Sequence, residues 1–543
     1  MPELLHSTIG GWMDKMAREH GDREALVYHD RGLRLTYREL NDVARRAARA
    51  LVALGVKKGD HVAVWATNTP EWVYTLHGCA KIGAVLVTVN TNYKIFELEY
   101  LLRQSDAKVL IFSDGIKTSD YHEILGELLK DLSRVPVLRH LIHMDEPGGK
   151  KATGGILPWS RFIQMSDEVP AERLDEVQAG LDEHDMINMQ YTSGTTGFPK
   201  GVMLTHHNIL NNGFFIGENM KFTPRDRLCI CVPFFHCFGL VLAQMACITH
   251  ASAMVPVEVY SPAAVMETVQ AERCTALHGV PTMFIFILDH PDFAKYDFSS
   301  LRTGIMAGST CPVEVMRRAN EELGQRELVS VFGQTECSPG MTMSHAEDTF
   351  ERRTTTVGKL LPFTEGKVID PETGEEVPPG TPGEIVTRGY HLMKGYYNMP
   401  EATAAAIDAD GWLHTGDIGT CDEEGYYVIT GRLKDMIIRG GENIYPREIE
   451  ELLYTCPDVQ DSQVVGVQSK KFGEEVAAFV IKREGSAASE ADIKEYVSAR
   501  MSRHKVPSHV FFINSLPMNA AGKILKYKLR EQAEELVNRE KGV

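Results

Sequence analysis

Paired cysteine motifs, a basic face, an export signal and an unbroken apolar run are all missing from this chain of 543 residues. Its ten cysteines form no repeated Cys-x-x-Cys spacing, and Cys229 and Cys231 stand only one residue apart. Zinc sites and disulfide frameworks depend on such spacing, so the sequence points to buried free thiols in a reducing compartment. Lysine and arginine number 57 against 74 aspartate and glutamate, a net charge of -17, and the basic residues fall in scattered pairs such as Arg45-Arg46 and Lys470-Lys471. That excludes the continuous positive surface by which proteins grip nucleic acid or an anionic membrane. Any anionic ligand must be caught locally, by a loop and a few placed cations. The start, MPELLHSTIGGWMDKMAREH, has neither a basic beginning nor an apolar core, so no export signal is expected. The most apolar long run, FGLVLAQMACITHASAMVPV (238–257), is broken by Gln244, Thr249 and His250. It predicts a buried helix followed by a strand, with no transmembrane segment. The expectation is a soluble cytoplasmic protein.

What is present is ordinary globular composition, 43% apolar and 24% charged, in a chain long enough for two or more domains. In LNDVARRAARALVALG (40–55), Leu40, Val43, Ala47, Ala50, Leu51 and Leu54 fall on one helical stripe, with Gly55 as its stop. HVAVWATN then reads as a strand, ELEYLLRQSDAKVLIFSD (97–114) as helix then strand, and LCICVPF and SAMVPV as further strands. Repeated strand–helix units imply parallel or mixed sheets covered by helices on both faces, an α/β architecture. DEPGGKKATGG (145–155) reads as a surface loop. A boundary is expected at GRLKDMIIRGGENIYPREIEELL (431–453), after which come strands SQVVGVQ and EVAAFVIKR, a helix SEADIKEYVSARM and a strand HVFFINSL. This divides the chain into a large N-terminal domain, 1–433, and a small α+β C-terminal domain, 434–543.

The segment YTSGTTGFPKGV (191–202) has little apolar bulk and is costly to order, so it must hold something. The P-loop motif of kinases needs glycine, four residues, then Gly-Lys-Ser/Thr; four residues on from Gly194 comes Pro199, and Lys200 is followed by Gly201. The motif fails but the logic survives. Backbone N–H groups, the hydroxyls of Thr192, Ser193, Thr195 and Thr196, the adjoining Gly194 and Gly197, and the Lys200 ammonium can together cradle a polyphosphate.

Four further stretches follow in order: PFFHCFG (233–239), VFGQTE (331–336), WLHTGD (412–417) with GRLKD (431–435), and PMNAAGKILKYKLR (517–530). With the first, they give the chain a resemblance to the adenylate-forming superfamily of acyl-CoA synthetases, amino-acid adenylation domains and firefly-type luciferases. GYYNMPEAT (395–403) and RGGENIYPREIE (439–450) resemble its medium- and long-chain fatty acyl-CoA synthetases most. The resemblance covers nearly the whole chain. It implies a two-step reaction using ATP, Mg²⁺ and coenzyme A: a carboxylate attacks the α-phosphate to give acyl-AMP and pyrophosphate, then the CoA thiol displaces AMP.

Carried onto these motifs, the resemblance implies that Glu336 binds Mg²⁺, with Thr195 and Thr335 as hydroxyl partners for phosphate or metal. Gln334 joins the nucleotide site. Asp417 accepts the ribose hydroxyls, and Arg432 reaches the same sugar. Lys523 is the expected catalytic lysine, neutralising the attacking carboxylate and the α-phosphate, while Lys526 and Lys528 are expected to be solvated. The small domain is expected to rotate between half-reactions about Lys434, with Gly440 and Gly441 lining a pantetheine tunnel. His236 reads as a gate beside the carboxylate. FFHCFGLV offers no acid to pair a substrate ammonium, which disfavours amino acids. The expected walls, HGVPTMF (278–284), GIMAGST (304–310, with Gly308) and VFGQTE, are small and apolar and suit an aliphatic tail. An aryl-acid CoA ligase, a fatty acyl-AMP ligase serving a carrier protein and a luciferase-like oxygenase stay open as alternatives, as does a homodimer.

Overall fold

The computed structural model describes residues 2–117, 119–145, 150, 155–192, 199–309, 311–439, 442–469, 471–519 and 523–540. Local sequence sets the elements in the way the periodicity suggests. Helix Tyr37–Ala53 begins at Thr36, whose hydroxyl accepts from the Glu39 amide while the Glu39 carboxylate accepts from the Thr36 amide. Those two bonds satisfy donors that a first helical turn leaves bare. Leu40, Ala44, Ala47 and Leu51 form the buried stripe. The chain then turns at Gly55, whose φ of 76° is the left-handed conformation that suits glycine.

Two large sheets dominate. In the nine-stranded sheet, Glu327–Gly333, Thr303–Met306, Ala276–His278, Arg227–Ile230, Ala253–Pro256 and Glu24–Tyr28 run parallel. In the eight-stranded sheet the parallel part is Met186–Thr192, Val85–Thr88, His61–Trp65, Ala107–Phe112, His140–His143 and Leu157–Pro158. Its strands are buried on both faces: Val64 and Ile111 enter one core, while Trp65, Leu110 and Phe112 enter another. One edge carries antiparallel Lys200–Thr205, followed by Gly395–Tyr396. The α/β class with mixed sheets is therefore as the sequence indicates. Beyond that expectation lies a separate four-stranded antiparallel sheet of Thr364–Ile369, Gly383–Gly389, Leu413–Cys421 and Tyr427–Arg432.

The remaining chain forms a five-stranded sheet. Ile437–Arg439 and Glu442–Ile444 pair antiparallel, a hairpin that the glycine pair had concealed, and Val459–Ser469, Gly473–Lys482 and His509–Phe512 complete it. Successive residues again face opposite sides. Val464, Ala478 and Val480 pack with Ile449, Leu453 and Ile493; Val465, Val467 and Phe479 pack with Leu529, Ala533 and Val537 of helix Lys526–Glu540.

Two local features differ from the sequence reading. The apolar stretch after Cys237 is a helix followed by strand Ala253–Pro256, but residues Phe238–Met245 take the wider π form before Ala246–Thr249 becomes α-helical. Lys526 is no solvated charge. It donates to Glu450 Oε1 at 2.7 Å and lies 3.3 Å from the Val464 carbonyl, because Glu450 is buried and needs a cation. Lys528 is exposed, as expected. All ten cysteines are free and all but Cys421 are buried. No helix of the described residues is long and apolar enough to cross a membrane.

Candidate active site

Asp417 and Arg432 are paired residues on neighbouring antiparallel strands, a placement that brings facing side chains together. Arg432 Nε donates to Asp417 Oδ1 at 2.8 Å. Asp417 is only 3% exposed. Burial is the largest influence on its carboxyl and holds it above the ordinary range, against the opposing pull of Arg432 and then Lys523. Its second oxygen, Oδ2, is buried with no hydrogen-bond partner among the described residues. Leaving a buried acceptor bare costs about 1–3 kcal/mol, so this oxygen is suited to a ligand donor such as a hydroxyl. Glu384 fixes the turn that presents it: Oε1 accepts from the Gly416 amide at 3.0 Å, and Oε2 lies 2.9 Å from His414 Nδ1.

Lys523 reaches the same place from the other end of the chain. The Lys523 amide donates to Asn519 Oδ1 at 2.9 Å and the Asn519 amide donates to the Lys523 carbonyl at 2.9 Å, which ties Lys523 down just before helix Lys526–Glu540. The residue keeps open surface, yet its ammonium stands among packed protein, as a group in a cleft does. That crowding, and next the Arg432 guanidinium, lower it to about 8, with Asp417 pulling the other way and Lys434 adding to the repulsion. Lys434 itself is exposed, on the short 3₁₀ turn Leu433–Asp435 that links the four-stranded sheet to the last one.

His236 completes this group. Burial, then the Lys523 charge, lower its imidazole to about 4, so it is neutral at physiological pH. The Phe238 amide donates to its Nδ1 at 3.2 Å, which leaves the proton on Nε2. Its backbone stands at the mouth of the π-helical segment, with the Leu240 amide donating to the His236 carbonyl.

A second cluster surrounds Glu336. Tyr396 Oη donates to Glu336 Oε1 at 2.8 Å, and Lys200 Nζ lies 4.5 Å from the centre of the Tyr396 ring. Strand pairing of Val202 with Tyr396 brings these together. Burial and the neighbouring carboxylate hold the phenol above its usual range, so it remains a donor. Glu336 lies in the short turn Thr335–Cys337 after strand Glu327–Gly333, with Thr335 buried and Gln334 half-buried. Thr192 and Lys200 are paired across the hairpin that bounds the Gly-Thr-rich loop. Ser193, Gly194, Thr195, Thr196 and Gly197, like Gly440 and Gly441, lie outside the described residues. Gly308 has a φ of 91°, and a Cβ there would come within 3.1 Å of Val280 Cγ1.

The candidates thus gather in two groups, Asp417–Arg432–Lys523–His236 and Glu336–Lys200. Sequence reasoning missed Tyr396 and Glu384. Tyr396 stands in GYYNMPEAT, a stretch whose aromatic pair next to a glycine was its only signal; Glu384 carried none.

The AMP-binding enzyme family matches residues 13–397, and the AMP-binding enzyme C-terminal domain matches residues 448–523. YngI of Bacillus subtilis (strain 168), named as an acyl-CoA synthetase, is 51% identical over 548 residues, covering 99% of each chain. The mitochondrial medium-chain acyl-CoA ligase ACSF2 of Bos taurus is 38% identical over 550 residues, covering 98% of this chain and 89% of its own. Among solved structures, the anthranilate CoA ligase AuaEII in complex with anthranoyl-AMP superposes with a TM-score of 0.86 at 26% identity, covering 99% of both chains.

Proposed function

The chain belongs to the AMP-binding enzyme family and is an AMP-forming acyl-CoA ligase; from that premise we propose that its acid is an aliphatic fatty acid of medium to long chain, adenylated by a site assembled around Lys523. The observation that carries the site assignment is the convergence of the Lys523 ammonium on a buried Asp417 whose Oδ2 has no partner among the described residues. Asp417 Oδ2 accepts a ribose hydroxyl while Arg432 holds the other oxygen in place. Lys523, mostly protonated at neutral pH with its value near 8, faces the point where carboxylate and α-phosphate meet. Bringing two anions together is chiefly an electrostatic and positional problem, and one ammonium held in a cleft addresses both.

The carboxylate oxygen forms a bond to the α-phosphorus as the bond to the bridging β-oxygen breaks, releasing pyrophosphate. Neutral His236 offers Nε2–H to the acid oxygen that stays behind. The CoA thiolate then bonds to the acyl carbon, and the bond to AMP breaks. Glu336 is a hard carboxylate fixed on one side by Tyr396, the donor type that Mg²⁺ prefers. With Thr195 it would hold that ion, which supplies charge neutralisation on the phosphates. Lys200 and the Gly-Thr-rich loop take the β- and γ-phosphates. Residues 434–543 form the unit that reorients between half-reactions, with Lys434 as pivot and Gly440 and Gly441 along the pantetheine arm.

Support for an aliphatic acid comes from the medium-chain ligase relative and from the apolar Val280 side chain beside Gly308, with no carboxylate in the PFFHCFG segment to greet an ammonium. The likeness to an anthranilate CoA ligase favours an aryl acid as the second reading. AMP release with ATP, Mg²⁺ and CoA is measured across straight-chain acids of increasing length, with benzoate and anthranilate alongside. A maximum among the straight chains is expected and gives the chain length. A maximum on the aryl acids overturns the aliphatic assignment and leaves the catalytic one standing.

A further inference from the structure

Away from this site, three ligating side chains meet at the carboxyl ends of two neighbouring parallel strands. Asp114 follows strand Ala107–Phe112, His143 ends strand His140–His143, and His122 lies in the first turn of helix Tyr121–Leu128. His143 Nε2 is 2.8 Å from Asp114 Oδ1, His122 Nε2 is 3.2 Å from that same oxygen, and the two Nε2 atoms are 3.1 Å apart. Phe112, paired with His143 across the strands, packs its ring against both imidazoles, with centroids 5.4 Å from His122 and 5.3 Å from His143. His143 is fully buried.

Hydrogen bonding alone can satisfy two sides of this triangle, the two imidazole–carboxylate contacts, but not the third between the rings. A neutral imidazole carries at most one proton on Nε2. With both Nε2 atoms protonated, two donors face each other. With one bare, its lone pair faces a carboxylate oxygen. No assignment of neutral rings makes all three contacts favourable. A cation at the centre accepts all three lone pairs at once: metal bonds of about 2.0–2.2 Å set roughly 90–105° apart place donors about 2.8–3.3 Å from one another.

We propose that Asp114, His122 and His143 form a binding site for one divalent first-row transition ion, Zn²⁺ foremost, which pins helix Tyr121–Leu128 to the ends of the two strands. Two imidazoles and a carboxylate suit such an ion and not Mg²⁺, which takes oxygen donors. The Asp114 carboxylate is already oriented, because its Oδ2 accepts from the Lys150 amide at 3.0 Å. The Lys150 ammonium is engaged by Asp120 and is not a competitor for Asp114. Three protein ligands leave at least one position for water. His143 Nδ1 is buried without a partner among the described residues, so that ring lacks the outer hydrogen bond that strengthens ligation, and exchangeable binding is expected in preference to a permanently locked site. A second group, His6, Glu183 and His207, has His6 largely exposed and serves as the internal control.

The test uses full-length protein stripped with a chelator, in excess Mg²⁺. Co²⁺ is titrated against visible absorption, and Zn²⁺ against a chromophoric chelator, in the wild type, His122→Ala, Asp114→Asn and His6→Ala. One equivalent of Co²⁺ with ligand-field bands is expected in the wild type and in His6→Ala. Affinity should fall at least tenfold in His122→Ala and Asp114→Asn. Zn²⁺ should raise the thermal midpoint of the wild type and not of His122→Ala. Wild-type protein without bands, binding unchanged in both site variants, or binding lost in His6→Ala would each overturn the assignment. Should Asp114→Asn not fold, His122→Gln takes its place.

Discussion

Arg432 Nε and Asp417 Oδ1 stand 2.8 Å apart across two antiparallel strands, and the pairing leaves Asp417 Oδ2 buried and without a partner among the described residues. The arginine therefore orients the carboxylate without saturating it. Asp417→Asn should keep the fold, since Arg432 retains access to water. It should weaken ATP capture by roughly ten- to a hundredfold in kcat/KM, the scale of one lost hydrogen bond to a charged acceptor. Titration calorimetry with a non-hydrolysable ATP analogue provides the direct reading. Unchanged nucleotide affinity would remove Asp417 from the ribose site.

Lys523 is expected to serve one half-reaction only. Lys523→Ala should depress acyl-AMP formation by roughly a hundredfold or more, read by pyrophosphate exchange without CoA. Conversion of supplied acyl-AMP to acyl-CoA should stay near the wild-type rate. Equal losses in both assays would assign the lysine a structural task.

Protonation adds an independent check on the same residue. An ammonium lowered to about 8 is charged below that pH and lost above it, so adenylation must fall as pH rises. In kcat/KM for ATP, which reports the free enzyme, the alkaline limb is expected near 8. Bound phosphate favours the charged form, so the limb in kcat should move to higher pH. Lys523→Arg should erase the limb, because guanidinium does not titrate in this range. A limb that survives in Lys523→Arg would point to another group.

Tyr396→Phe removes the hydroxyl that holds Glu336 and keeps the ring beneath Lys200. The half-saturating Mg²⁺ concentration for pyrophosphate exchange should rise by about three- to tenfold, with a smaller effect on saturated turnover. Glu336→Gln should raise it further. If Tyr396→Phe titrates with Mg²⁺ as the wild type does, the tyrosine does not position the carboxylate.

The α/β class was legible because buried runs such as His61–Trp65 alternate with stripes such as that of Tyr37–Ala53, and both signals are local. Motif resemblance alone names Asp417, Arg432, Lys523 and Glu336 as candidates, and the structure brings the first three together. Hidden from the sequence were contacts between residues far apart in the chain. Tyr396 and Glu336 are separated by 60 positions, Glu384 and His414 by 30, and Lys526 and Glu450 by 76. No period of two or 3.6 residues encodes which distant strand will lie alongside. The π-helical turn after Cys237 and the hairpin Ile437–Arg439/Glu442–Ile444 escaped for a related reason: their apolar patterns fit an ordinary helix or a loop equally well.

The last sheet carries its own oil on both sides. Every buried apolar residue of its two clusters comes from residues 437–537, so none of that grease is shared with the rest of the chain among the described residues. What ties it to its neighbours is a polar seam, such as Gln460 to Asp289 at 3.3 Å and the Val313 amide to Glu451 at 3.5 Å. Water can replace bonds of that kind almost one for one. Opening that seam would therefore leave both clusters covered, which is what the proposed reorientation of residues 434–543 requires.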